Sequence, residues 1–223
     1  MDHDDPAYNG QRDYNAVLLN TYDPLVLGPI ARFVWRCPTT RLVEQYRQHI
    51  RPRHLDVGPG TGYFIEHAGL PDGSRVTILD PNSNVLRHVS RRLRSLDVTA
   101  VEADVLKPLP VDGPFDSAAL HLVIHCLPGP LARKAAAVAD VAAVLAPTGV
   151  LFGASVLGTS GRHTRAARMF LRAFNWQGGF DNLGDTEAGL RDILEVSFEH
   201  VEVEAIGSIA IFAASGPRAA PLS

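Results

Sequence analysis

The sequence predicts an α/β fold: a parallel sheet wrapped by helices on both faces and finished by an antiparallel hairpin. Three observations carry this reading. Between His54 and Val156, short apolar runs alternate with helical ones, the rhythm of successive strand–helix–strand units. A glycine-rich turn, Asp56-Val57-Gly58-Pro59-Gly60-Thr61-Gly62, joins the first apolar run to the first helix. Near the C-terminus two apolar stretches are separated only by Gly207, which leaves no room for a crossover helix and demands a hairpin.

Residues 1–12 are charged, carry Pro6 and Gly10, lack periodicity and read as a disordered tail. From Asp13 to Ile50, apolar residues recur at helical spacing, among them Val17, Leu18, Phe33, Val34, Leu42, Val43 and Tyr46. Pro24, Pro29 and Pro38 divide this preface (13–50) into short helices. The body, 51–215, opens with a buried strand at 54–57 and a helix at 61–69 that Gly69 closes. A strand at 75–80, a helix at 82–96 capped by Asn82 or Ser83, and a strand at 98–104 follow. A fourth strand begins at Phe115 in the run to His125, then come an alanine-rich helix (132–146) and a fifth strand (149–156). Helices at 161–173 and 186–197 precede the hairpin strands 199–206 and 208–215, and 216–223 form a tail.

The chain has 223 residues, 46% hydrophobic and 20% charged, enough for one domain with additions and a core that needs no staple. Cys37 and Cys126 are too few and too scattered for a disulfide framework or a cysteine zinc site. A net charge of -3 argues against a nucleic-acid surface or a polybasic membrane surface. Arg87, Arg91, Arg92 and Arg94 read as a solvated helix face. No apolar run is long enough to span a bilayer, and the acidic start is unlike a secretory signal, so a cytoplasmic location is expected.

The chemistry gathers at strand ends. Glycines in the first turn let the backbone fold sharply and bring N–H groups close to a ligand. The spacing is G-x-G-x-G, one residue shorter at the third glycine than the dinucleotide fingerprint. Asp56, just before the first glycine, would repel a diphosphate and suits an ammonium group instead. Asp80 ends the second strand, where a carboxylate can accept from ribose hydroxyls or cap the next helix. Asp104 ends the third, where it can accept from an adenine amino group or close an ordinary turn. Three acids at three successive strand ends behind a glycine loop point to one ligand.

In HLDVGPGTGYF (54–64), VTILD (76–80), EADV (102–105), FDSAALHLVIHCL (115–127), GVLFGAS (149–155) and the terminal hairpin, the sequence resembles the class I S-adenosylmethionine-dependent methyltransferases of small molecules. The resemblance covers roughly residues 40–215. It implies a Rossmann-like seven-stranded sheet in the order 3-2-1-4-5-7-6 with its last strand antiparallel. It further implies S-adenosyl-L-methionine as cofactor. Asp56, Gly58, Pro59 and Gly60 would hold the methionine moiety, Asp80 the ribose, and Asp104 and Val105 the adenine, with His121 near the sulfonium. The chain lacks the Asn-Pro-Pro-Tyr type of motif after the fourth strand and the paired acids of the magnesium-dependent catechol enzymes, so no metal is expected.

His121 and His125 are the candidates for proton chemistry, since an ordinary imidazole titrates near neutral pH. The preface is expected to act as a lid over the cofactor, with Tyr22, aimed inward by the turn at Asp23-Pro24, as its contact. The segment 174–182 mixes aromatic, glycine and polar residues, which suits a pocket wall: Trp176, Phe180 and Asn175 are candidates to bind substrate, with His163 nearby. The expected activity is methyl transfer to a small organic acceptor, at oxygen, in specialised metabolism, with a homodimer as an open assembly. A cofactor-bound protein that rearranges or cyclises its substrate, and a nicotinamide-dependent oxidoreductase, are the alternatives.

Overall fold

The computed structural model describes residues 23–218, with side chains from Gly28 onward. A wide π-type helix α1 (Asp23–Val34) leads to α2 (Thr39–His49), then β1 (Arg53–Val57), α3 (Tyr63–His67), β2 (Arg75–Asp80), α4 (Ser83–Arg92), β3 (Asp97–Glu102) and β4 (Phe115–His121). A short 3-10 turn (Ile124–Cys126) is followed by α5 (Leu131–Ala143), β5 (Leu145–Val156), α6 (Arg165–Trp176), α7 (Glu187–Ser197), β6 (Phe198–Ile206) and β7 (Ile209–Pro217). The seven strands form one sheet in the order β3-β2-β1-β4-β5-β7-β6. β1 to β5 run parallel, and β7 lies antiparallel to both β5 and β6.

Period-two alternation splits the strands between two cores. In β1, Leu55 and Val57 face the α5 and α7 side, where Ala137, Val138, Val141, Leu190 and Leu194 pack. The opposite face meets α2, α3 and α4 through Tyr46, Ile65, Val85, Leu86 and Val89, with Ala119 and Phe152 from the sheet. A third cluster, at the end of β5, joins Trp35, Leu42, Ala154, Val156, Ala167 and Leu171. It ties α1, α2 and α6 to the edge where the parallel strands end.

Several boundaries differ from the sequence reading for local reasons. Gly62 has φ +77 and still belongs to the turn, so α3 starts at Tyr63 rather than at residue 61. β4 ends at His121 as expected, inside an apolar run that continues to His125, because Leu122 has φ +60. The Thr164 side chain accepts from the Ala167 N–H, which starts α6 at Arg165, and α6 continues through Trp176 rather than ending at 173. β7 runs to Pro217, which pairs with Phe198, so 216 and 217 belong to the sheet rather than to the tail.

α2 belongs to the core. Gln45 Nε2 donates to the carbonyls of Gly153 and Phe212, on two different strands, and Tyr46 is buried. Gly153 itself has no room for a side chain, because a Cβ would collide with the Leu120 carbonyl and lie 2.6 Å from the Phe212 ring. Gly153→Ala should therefore destabilise the fold by about 1–3 kcal/mol, lowering the melting temperature by roughly 2–4 °C per kcal/mol. Thermal unfolding followed by circular dichroism checks this.

Candidate active site

The ends of β1, β2 and β3 and the glycine turn form one edge. Gly58, Gly60 and Gly62 all have positive φ, which only glycine adopts without strain. A Cβ on Gly58 would lie 2.6 Å from Val123, so the loop after β4 sits directly on this turn. A Cβ on Gly60 would meet nothing within 4 Å. The turn is thus closed toward β4 at Gly58 and open at Gly60.

Asp56 is buried behind this turn. Its Oδ2 accepts from the Tyr46 hydroxyl at 2.8 Å and lies 3.3 Å from His54 Nε2. Its Oδ1 is buried with no partner among the described residues. Burial, then the Asp56 charge and hydrogen bond, raises the Tyr46 hydroxyl well above its ordinary value, so Tyr46 keeps its proton and donates. Asp80 Oδ1 accepts from the Asn82 N–H at 2.8 Å, and Asp104 Oδ1 from the Leu106 N–H at 3.0 Å. Burial pushes the Asp80 carboxyl up to about 6, opposed only in part by the Asn82 N–H. β3 ends at Glu102, so Asp104 and the buried Val105 lie just beyond the strand rather than on its last residues, and Pro59 is buried within the turn. Tyr22 lies outside the described residues.

His121 ends β4 with its ring 4.6 Å from Phe64 and 5.0 Å from Tyr46, centroid to centroid. Both of its ring nitrogens are buried without a partner among the described residues. His125 is buried on the 3-10 turn, where its Nδ1 accepts from the Val156 N–H at 3.2 Å and the neutral ring carries its proton on Nε2. Burial drives both imidazoles down to about 3, with Lys134 and His121 adding to the effect at His125. That corrects the premise that either one titrates near neutral pH.

Segment 174–182 is held in place by a buried cation. Lys134 donates to the Asp181 carbonyl at 2.6 Å and pairs with Asp185 at 2.7 Å. Asp181 in turn donates its N–H to the His125 carbonyl and accepts from the Gly129 N–H. Phe180 consequently meets the His125 ring at 4.4 Å, stacks on Phe174 at 4.8 Å and lies 6.3 Å from Trp35. Trp35 also meets Phe170 edge-on.

The other candidate substrate residues are placed differently. Trp176 is 86% exposed, because the apolar stripe of α6 runs through Ala167, Phe170, Leu171 and Phe174 and leaves position 176 off it. Asn175 is engaged with the Leu171 carbonyl and Asn182, and His163 with Ser208 Oγ and the Gly158 carbonyl. Both hold the chain together, where sequence reading assigned them to an acceptor. What sequence reading missed is the set His54, Ser117, Tyr46 and Trp35. The signal for the first two was present, since His54 and Ser117 are polar residues at interior positions of strands.

Residues 55–153 match the family model of a methyltransferase domain. The chain is 34% identical over 216 residues to a physcion biosynthesis cluster O-methyltransferase from Aspergillus chevalieri, covering 96% of this chain and 97% of that one. The chain belongs to the class I S-adenosylmethionine-dependent methyltransferases. It is also 36% identical over 186 residues to the N-methyltransferase vrtF of Penicillium aethiopicum, covering 82% of this chain and 78% of that one. The N-methyltransferase NodS of Bradyrhizobium japonicum, solved with S-adenosyl-L-homocysteine, shares the fold with a TM-score of 0.59 at 15% identity, over 81% of this chain and 88% of NodS.

This methyltransferase uses S-adenosylmethionine, and its residues fit that cofactor. The unpartnered, buried Asp56 oxygen matches a ligand ammonium, and the open side at Gly60 leaves the backbone accessible. Among the described residues no group of three or more His, Cys, Asp or Glu side chains is arranged to hold a metal ion. No helix among them is long and apolar enough to cross a membrane.

Lys134→Ala should cost about 3–5 kcal/mol, since it leaves a buried carboxylate unpaired. Trp176→Ala should stay within about 0.5 kcal/mol of wild type, as exposed substitutions do. Denaturant midpoints of the two variants measure the contrast.

Proposed function

We propose that this enzyme transfers the methyl group of S-adenosylmethionine to an oxygen of a small, uncharged aromatic or enolic molecule in specialised metabolism. The observation that carries the reading is the wall of Trp35, Phe170, Phe174 and Phe180, which runs to His125 beyond the end of β4. Flat apolar rings stack on such a wall. The full-length likeness to an O-methyltransferase supports oxygen as the accepting atom.

When bound, the cofactor supplies a methyl group on a sulfonium, already a strong electrophile. The chain's own residues then have to bind, orient and keep water out. In this reading Asp56 receives the ammonium, Asp80 the ribose hydroxyls, and Asp104 with Val105 the adenine. His121, neutral and flanked by Tyr46 and Phe64, adds no positive charge beside the sulfonium. His125 offers its Nε2 proton to the acceptor oxygen and orients it, rather than removing a proton. The acceptor's own acidity therefore governs ionisation. The segment ahead of α2 is the proposed cover of the site.

The deciding experiment incubates the enzyme with S-adenosylmethionine and a panel of phenols, enols and aromatic amines, with mass spectrometry and NMR locating the methyl group. Transfer to oxygen supports the proposal, and transfer confined to amine nitrogen overturns it. With an acceptor of fixed ionisation, kcat should be flat between about pH 6 and 8, because imidazoles driven down to about 3 stay neutral throughout. A rise through a pKa near 6.5 that disappears in His125→Gln would restore the general base.

Asp80 makes a separate prediction. The carboxylate accepts two ribose hydroxyls only when ionised, and its proton leaves near pH 6. Affinity for S-adenosylhomocysteine should therefore be constant above that pH and fall about tenfold per unit below it. Asp80→Asn should bind weakly and lose this pH dependence. Calorimetric titration across the range tests both.

A further inference from the structure

We infer that His54 and Ser117 are positioning residues that fix Asp56 as a one-sided acceptor, with Oδ2 satisfied by protein donors and Oδ1 reserved for the ammonium of the cofactor. The inference rests on the reading of Asp56 as the ammonium site. It adds the two residues behind Asp56, which contact no cofactor in that reading.

The sheet register builds the arrangement. His54 and Ser117 are direct partners across β1 and β4, and Asp56 follows His54 on the same face by the period of two. With a single proton on the His54 ring, the hydrogen bonds have one consistent direction. The Arg51 N–H donates to Ser117 Oγ at 2.9 Å, and Ser117 Oγ lies 2.9 Å from His54 Nδ1. His54 Nε2 faces the Asp56 carboxylate, which can only accept, so Nε2 must carry the ring proton. Nδ1 is then an acceptor, and the Ser117 hydroxyl donates to it.

The imidazole is held mechanically as well. Its ring lies 5.8 Å from Phe152 at a near-parallel angle and 6.3 Å from Tyr46 edge-on, and the side chain is fully buried. Tyr46 adds the second donor to the same carboxylate oxygen. Two donors therefore fix the carboxylate's rotation and leave Oδ1 as its bare side. Without His54 the carboxylate would lose half of that constraint, and only ligands that use the ammonium contact should notice.

The test compares two ligands by calorimetric titration. S-adenosylhomocysteine carries the ammonium; 5′-methylthioadenosine shares its adenosine and thioether but lacks the amino-acid end. His54→Leu should weaken S-adenosylhomocysteine by about tenfold or more while leaving 5′-methylthioadenosine within about twofold. His54→Gln, whose amide can still donate to Asp56, should restore most of the loss, and Ser117→Ala should fall between. Equal weakening of both ligands, or of neither, overturns the inference in favour of a purely structural histidine. Wild-type protein that binds neither ligand would instead contradict the cofactor assignment itself. A readout that needs no variant to fold is the imidazole 15N spectrum of the wild-type protein. It should show His54 protonated at Nε2 and not at Nδ1, and the opposite tautomer also overturns the inference.

Discussion

A carboxylate buried at the end of the first strand is the constraint around which the site is arranged. Asp56 is 1% exposed, and a buried charge persists only where polar groups compensate for lost water. The chain supplies compensation on one side, from Tyr46 on α2 and His54 on β1. It supplies none among the described residues on the other. In the proposed reading a helix ahead of the sheet thereby becomes part of the site. α2 contributes Tyr46 to the carboxylate and Gln45 to β5 and β7, which couples the preface to the sheet at both positions.

The sheet order places everything else. β1, lying between β2 and β4, puts its end beside theirs, so Asp80 and His121 flank the glycine turn from opposite sides. The chain needs left-handed backbone at Gly58 and Gly60 to leave that edge open. Beyond β5 the edge becomes aromatic, and Lys134 holds the wall from beneath through Asp181 and Asp185. The site therefore divides into a polar half toward β1–β3 and an apolar half toward β4 and β5. In the proposed reading, that division suits a cofactor with many hydrogen-bonding groups beside an acceptor with few.

The fold was legible in the sequence because its signals are local. Alternating apolar runs give strands, proline and glycine divide them, and Gly207 alone between two strands forces the hairpin. The acids at strand ends were equally visible, since strand ends are where turns begin. The network around Asp56 was not, because Tyr46 reaches it only once α2 has packed on the sheet, and Ser117 reaches His54 only through the register of β1 against β4. The histidines were visible as residue types, but their protonation depends on burial, and burial moved both far from neutral pH. Trp176 was misplaced for a simpler reason: α6 extends three residues past its expected end and carries that ring to the outside.

The central claim is that Asp56 presents one bare oxygen to the cofactor's ammonium while the protein holds the other. The most direct measurement is a crystal structure of the protein with S-adenosylhomocysteine bound. The account requires the ligand's amino nitrogen within hydrogen-bonding distance of Asp56 Oδ1, with Tyr46 and His54 still on Oδ2. An ordered ligand whose amino group lies away from Asp56, or a carboxylate rotated off Tyr46 and His54 to meet it, would contradict the account.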